Sequence, residues 1–288
     1  MSRVFATQSR FLRHILPDGQ QQQQQQEDGD DDVGCQRIEE GMCGTGGTPL
    51  ANIDQQQPFA WRKIVVRSNP LSGGDCSSGS ASVDMGNTRV MCTVNGPREL
   101  QQQSVSSSAD AAASMEEGVL CVTLRGCDID ASLRYSVERA LQAAVCLRKL
   151  ARTETAIELN VLSDDGGAFA ACLVAAGVAI ASANIEMLDV LLACNVLLIP
   201  SNSLTAPLRI VFDPDKATIA AHVGKASALT MGVIPTIGQV VCAELSGDAC
   251  PLPVHQLRGA LSDVYEHCLT LYGTVRAALL KGVTEGAF

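Results

Sequence analysis

Apolar and polar positions change rhythm several times along the chain. Up to residue 57 they follow no period. From Pro58 onward three short β-branched runs appear, Arg62 to Arg67, Ser80 to Asp84 and Arg89 to Val94, punctuated by Gly73, Gly74 and Gly79. The last two are joined by Gly86-Asn87, which predicts a hairpin. A polar stretch from Glu99 to Gly118 reads as a surface loop before a strand at Val119 to Leu124. The step then lengthens to three and four residues at Leu133, Val137, Leu141, Ala144 and Val145, which predicts a helix. Asp128 and Asp130 stand ahead of it and Arg148, Lys149 and Arg152 behind, the order that suits a helix dipole. Alternation returns at Ala156 to Leu162, followed by a helix of small residues from Gly166 and an apolar strand at Leu191 to Ile199.

Beyond a loop at Pro200 to Pro207, a strand at Leu208 to Phe212 runs into Asp213-Pro214. Runs at Ala228 to Ile234 and Gln239 to Leu245 flank Pro235 and Gly238 and should pair. Val254, Leu257, Leu261, Val264, Cys268, Leu271, Val275 and Leu279 form the stripe of a final helix. Strands first, then helices interleaved with strands, argue an α+β domain with mixed β-sheets packed against helices, not a doubly wound one.

Composition adds limits. The 288 residues carry 21 Lys+Arg against 31 Asp+Glu, a formal charge of −10, which excludes a strongly basic nucleic-acid binder. Seven consecutive glutamines at 20 to 26, the acids Glu27, Asp28, Asp30, Asp31 and Asp32, and glycines near 44 to 47 cannot bury enough apolar surface to offset chain entropy. The division expected is therefore a disordered low-complexity segment over 1–57 and one folded domain over 58–288. The basic and apolar residues before Asp18 form a weak targeting pattern and are read as part of that disordered lead. The 18 charge-free residues from 166 to 183 are mostly Ala, Gly and Ser and closely bracketed by acids, so a buried helix is expected and no membrane span. The 12 cysteines show no CxxC pair, which reads as reduced thiols in an intracellular protein without a metal site. Cys121 and Cys127 are read as small buried residues. No GxSxG elbow and no Lys-Ser/Thr phosphate loop is present.

The most specific string is Gly79-Ser80-Ala81-Ser82-Val83-Asp84-Met85-Gly86-Asn87-Thr88-Arg89-Val90, closing in Gly96-Pro97-Arg98-Glu99. It resembles the opening hairpin and Gly-Pro-Arg-Glu turn of the RNase PH family, which includes bacterial RNase PH, polynucleotide phosphorylase and the ring subunits of the eukaryotic RNA exosome. Asp164-Asp165-Gly166-Gly167 opening an Ala-rich helix, and Pro235-Thr236-Ile237-Gly238-Gln239-Val240 between two strands, are similar in order and spacing. The resemblance spans about residues 58 to 282 and implies an RNase PH-like fold.

Active members of that family cleave an RNA 3′ end with inorganic phosphate. They hold the phosphate at a helix start bearing Ser/Thr and Arg, a helix N-terminus plus a guanidinium being a good anion site. Here those two positions are Ala168 and Phe169, so the phosphate clamp is absent. Active members also carry two acids about six residues apart, for a metal or a proton at the scissile phosphate. Asp213 matches the first, but the second is Ile219, and Asp213 can also be read as a turn residue before Pro214. The resemblance thus implies a catalytically silent relative, with no catalytic residue, no metal and no cofactor. The rival is an active phosphorolytic 3′-to-5′ exoribonuclease forming its own six-membered ring with a divalent metal.

Asp164 to Ala168, Ile185-Glu186-Met187-Leu188-Asp189-Val190 and Phe212-Asp213-Pro214 look most like the non-catalytic mRNA-transport-regulator type of exosome ring subunit. That type implies other RNase PH-like subunits as partners in a hetero-hexameric ring, cap subunits and a separate nuclease, and residence in nucleus, nucleolus and cytoplasm. Single-stranded RNA is the implied ligand, bound weakly and without sequence preference, with Arg98, Arg62, Lys63 and Arg89 as candidate phosphate contacts or surface salt bridges. With 1 Trp, 3 Tyr and 6 Phe, no interleaved aromatic platform for stacking bases is visible.

Overall fold

A computed structural model describes residues 61–71, 78–99, 116–126, 131–200, 208–247 and 254–285. The expected low-complexity segment, its boundary at 57, the body of the 99–118 loop, Asp128, Asp130 and Cys127 lie outside the described residues.

Nine strands and four α-helices are described: β1 (Ile64–Ser68), β2 (Gly79–Met85), β3 (Thr88–Glu99), β4 (Val119–Arg125), α1 (Ala131–Ala144), β5 (Thr153–Ser163), α2 (Ala168–Ser182), β6 (Leu192–Ile199), β7 (Arg209–Phe212), α3 (Lys216–Ala221), β8 (Ser227–Ile234), β9 (Gln239–Ser246) and α4 (Val254–Glu285). They make a five-stranded sheet of order β1-β2-β3-β5-β4 and a four-stranded sheet of order β7-β6-β8-β9. Only β4 and β5 run parallel, so the first sheet is mixed and the second antiparallel. The expected hairpin is present, with Met85 opposite Thr88 across Gly86-Asn87.

Helix α2 explains how the two sheets share one core. Every residue from Phe169 to Ile180 is buried, as befits a helix apolar on all sides. It packs on β2 and β3 on one side and on β6 on the other. The small side chains permit near backbone contact: a Cβ on Gly79 would lie 2.5 Å from the Ala179 carbonyl. Strand β6 is likewise buried on both faces and reads as a continuous apolar run, interrupted by Asn195. Among the described residues no helix is long and apolar enough to cross a membrane.

Four expectations need correction. The sequence Gly96-Pro97-Arg98-Glu99 is not a turn: β3 continues through it to Glu99, with a bulge between Asn95 and Arg98. Gly96 has φ +137°, and a Cβ there would sit 2.9 Å from the Glu154 carbonyl, so only glycine fits so close to β5. Second, the bases meant to complement α1 are not in it. The helix ends at Ala144 because its terminus is drawn into another partnership, Val145 bridging Met187 while Leu188 N–H donates to the Ala144 carbonyl. Arg148 and Lys149 lie in a separate 3-10 turn, Leu147–Leu150. Third, Cys121 is exposed on the edge strand β4. Fourth, Val254 is 82% exposed, and the core stripe of α4 is Ala260, Val264, Cys268, Leu271 and Val275.

Candidate functional site

The Asp164-Asp165-Gly166-Gly167 turn is built by three separate pieces of chain. From the hairpin, the Thr88 hydroxyl donates to the Gly166 carbonyl at 2.8 Å and accepts from Asp165 N–H at 3.0 Å, while Asn87 Nδ2 donates to Asp165 Oδ2 at 3.0 Å. Within the turn, Gly166 N–H donates to Asp164 Oδ1. Behind it lies the chain after β7, from which Lys216 N–H donates to the Asp165 carbonyl. Gly166 has φ +92°, and a Cβ would meet the Pro214 carbonyl at 2.6 Å and Ile219 Cδ1 at 3.2 Å. Glycine is required there on both counts.

Asp213 sits at the centre of this junction. It is 5% exposed, has φ +45°, and its N–H donates to the Asn195 carbonyl. Its carboxylate takes a two-pronged contact from Arg62, Nε to Oδ2 at 3.0 Å and Nη2 to Oδ1 at 2.7 Å, and a third bond from Arg62 backbone N–H at 3.2 Å. The same guanidinium donates to the carbonyls of Asp165 at 3.0 Å and Gly166 at 3.1 Å. Burial lowers the basicity of Arg62, but the hydrogen bond and charge of Asp213, with Asp165 and Asp215 farther out, outweigh it and hold the guanidinium above its ordinary pKa. Asp213 is thus more than a turn residue: its left-handed backbone aims a buried carboxylate at Arg62, and that pair ties the start of the first sheet to the end of β7.

The four positions that bear on phosphate chemistry, Ala168, Phe169, Asp213 and Ile219, do meet. Ala168 and Phe169 open α2, and Phe169, 9% exposed, belongs to the core. Ile219 of α3 reaches the outer side of the same turn. This short helix has no counterpart in the elements expected from periodicity; its signal was Asp215, whose Oδ1 accepts from Thr218 N–H at 2.8 Å as an N-cap. Hydrogen bonds from the Thr218 side chain and backbone hold Asp215 below the usual carboxylate pKa against its partial burial. The residues do not fit a divalent metal: both Asp213 oxygens are engaged by Arg62, and a methyl-bearing side chain stands where a second acid would be needed.

The four cationic candidates do not form one patch. Lys63 and Arg89 are exposed at the hairpin end of the first sheet, where Gly86 N–H donates to the Lys63 carbonyl and Arg89 faces Asp84. Arg62 is at the same end, four of its donor contacts taken by Asp213, Asp165 and Gly166. Arg98 is exposed nine residues farther along β3 opposite Glu154, roughly 30 Å away at a strand's rise per residue.

Sequence reasoning also missed an aromatic brace beside the junction. His267 of α4, 1% exposed, stacks on Trp61 with centroids 4.2 Å apart and meets Phe212 at 4.1 Å. Trp61 Nε1 donates to Thr270 Oγ1 at 2.8 Å. Burial pushes the His267 pKa down to about 4, although the Asp213 charge opposes it. The residues flanking Arg62 and Asp213 in sequence therefore pin α4 across the junction.

Residues 61–186 match the 3′ exoribonuclease family, domain 1, of RNase PH proteins. The chain is 29% identical over 252 residues to the exosome complex component MTR3 of Mus musculus, covering 81% of this chain and 86% of that one. It is 27% identical over 240 residues to the exosome complex component RRP41 homolog of Arabidopsis thaliana, covering 81% and 93%. Among solved structures, rice (Oryza sativa) Rrp46 superposes with a TM-score of 0.63 at 17% identity, covering 78% of this chain and 99% of that one. An archaeal exosome core chain gives 0.59 at 19% identity, covering 78% and 90%. These last two are likenesses of fold.

Proposed function

Because the chain is an RNase PH-like protein similar to exosome components of the MTR3 type, we propose that it is a non-catalytic subunit of the core ring of an RNA exosome. It scaffolds the ring, lines part of its RNA channel and so supports 3′-to-5′ RNA processing and degradation carried out elsewhere. Its partners are other RNase PH-like subunits in a hetero-hexamer, cap subunits, a separate nuclease and single-stranded RNA. Its place is the nucleus, nucleolus included, and the cytoplasm.

The observation that carries the silent reading is the chemistry around the α2 turn. A phosphate there would meet the Ala168 methyl, a Phe169 ring committed to the core and the Ile219 side chain, with no hydroxyl or free guanidinium from those positions to take its charge. The one acid in place, Asp213, is neutralised by Arg62. Removing a single preorganised donor of transition-state charge costs on the order of 100- to 1,000-fold in rate, and here several are missing at once. Arg62 acts as a structural tie, and Lys63, Arg89 and Arg98 remain the channel-facing cations, in two groups at opposite ends of β3.

Size-exclusion chromatography with light scattering on the full chain, together with phosphate-dependent release of nucleoside diphosphates from a single-stranded RNA, tests this. A monomer or ill-defined oligomer releasing no diphosphate is expected. A homo-hexamer that releases diphosphate would overturn the proposal in favour of an active phosphorolytic enzyme.

A further inference from the structure

Helix α1 buries Val137, Ala140, Leu141 and Ala144 and turns a polar face outward. On that face Tyr135 is 58% exposed, and the Arg139 guanidinium carbon stands 5.8 Å from its ring centroid, with Nη1 3.5 Å from the phenol oxygen. Arg134, the residue before Tyr135 in the helix, is also exposed. Glu138, which could have neutralised either arginine, instead accepts from Gln142 Nε2 at 3.3 Å. Among the described residues neither arginine has a carboxylate within 4.0 Å. The contrast with the next turn is sharp, where Arg148 pairs with Glu117 and Lys149 with Glu186. In a chain of formal charge −10, an exposed aromatic ring beside a guanidinium, with a second exposed guanidinium on the same helix and no carboxylate on either among the described residues, marks this face out.

We infer that the outer face of α1 is a contact site for single-stranded RNA, with Tyr135 and Arg139 stacking a base and Arg134 and Arg139 taking phosphates. An acidic peptide would satisfy the charge but offers no flat face for an exposed ring beside a guanidinium plane, whereas a nucleotide supplies both. The site lies on a different element from Lys63, Arg89 and Arg98, and it does not depend on catalytic silence or on ring assembly.

Fluorescence anisotropy of the full-length chain with a labelled single-stranded oligo-RNA, over a salt series, tests the inference. Y135A should weaken binding by about 5- to 150-fold, the range for loss of one base stack, while Y135F, which keeps the ring, should bind as the parent does. R134A/R139A should make the log-log salt dependence shallower by about 1.4, at about 0.7 per phosphate contact on a single strand. R148A, whose guanidinium is already paired, should change neither, and circular dichroism should be the same for all variants because the buried face of α1 is untouched. The inference is overturned if Y135A and R134A/R139A bind RNA as the parent does, if Y135F is as weak as Y135A, or if a poly-glutamate peptide binds as tightly as the RNA with the same dependence on Tyr135. Y135A that loses thermal stability while keeping RNA affinity would likewise overturn it, leaving an ordinary helix-stabilising pair.

Discussion

The start of α2 and the outer face of α1 use arginine in opposite ways. At the α2 turn, Arg62 is partly buried and answered by a carboxylate and two carbonyls within the chain. On α1, Arg134 and Arg139 point to solvent with no carboxylate partner among the described residues. At the α2 turn the charges are satisfied within the chain, and the neighbouring positions Ala168, Phe169 and Ile219 are apolar. A buried charge demands a partner because desolvation is costly, and a surface charge does not.

Breaking the internal pair should give the largest effect. R62A leaves the Asp213 carboxylate buried and unpaired, and a loss of roughly 3–5 kcal/mol is expected in urea denaturation. R62M/D213L, which removes both charges and keeps volume, should recover most of that loss; if the double variant is as unstable as R62A, the pair is not what ties β1 to β7.

Acid should act next, through the brace beside the pair. The unfolded chain takes up the His267 proton near its ordinary pKa of 6.5, the folded chain only near about 4. Folding stability is therefore complete above the first value and declines as pH falls through that window, because the unfolded state binds the extra proton. Urea midpoints measured from pH 7 to pH 4 should show this fall, and H267F should flatten it.

Gly79 sharpens the packing side of the comparison. G79A drives a methyl to 2.5 Å from the Ala179 carbonyl, so about 1–3 kcal/mol should be lost as β2 moves off α2. D215A removes the cap of α3 and should cost about 1 kcal/mol, read by the same denaturation. Least affected should be R98A and R139A, within about 0.5 kcal/mol of the parent, because each removes only an exposed side chain. A loss above that for Arg139 would mean that it works in the fold, as Arg62 does.

Much of the fold was legible from periodicity: the hairpin at Gly86-Asn87, the apolar helix expected from Gly166 and found from Ala168, and the closing strand pair followed by a long helix. Boundaries slipped where a distant strand competed for the backbone. Gly96 to Glu99 looks like a turn in isolation, yet β5 offers it hydrogen bonds and β3 runs on. Ala144 ends α1 early because residues 186 to 188 take its carbonyl and its neighbours. The site was legible by type and not by state. Ala168, Phe169, Asp213 and Ile219 do converge on one turn, but nothing near Asp213 in sequence points to Arg62, 151 residues away. His267 is likewise far along the chain from its ring partners, Trp61 and Phe212.

Local pattern by itself settled most of the strands and helices, which helix is apolar all round, and that the first two positions of α2 are Ala168 and Phe169, because each of these depends on residue type at short spacing. Only the tertiary structure decided which charges are paired. Arg62 became a structural tie and Arg134 and Arg139 remained open to solvent through the places the fold gave them, since the worth of a charge depends on its burial and on partners that chain proximity does not specify.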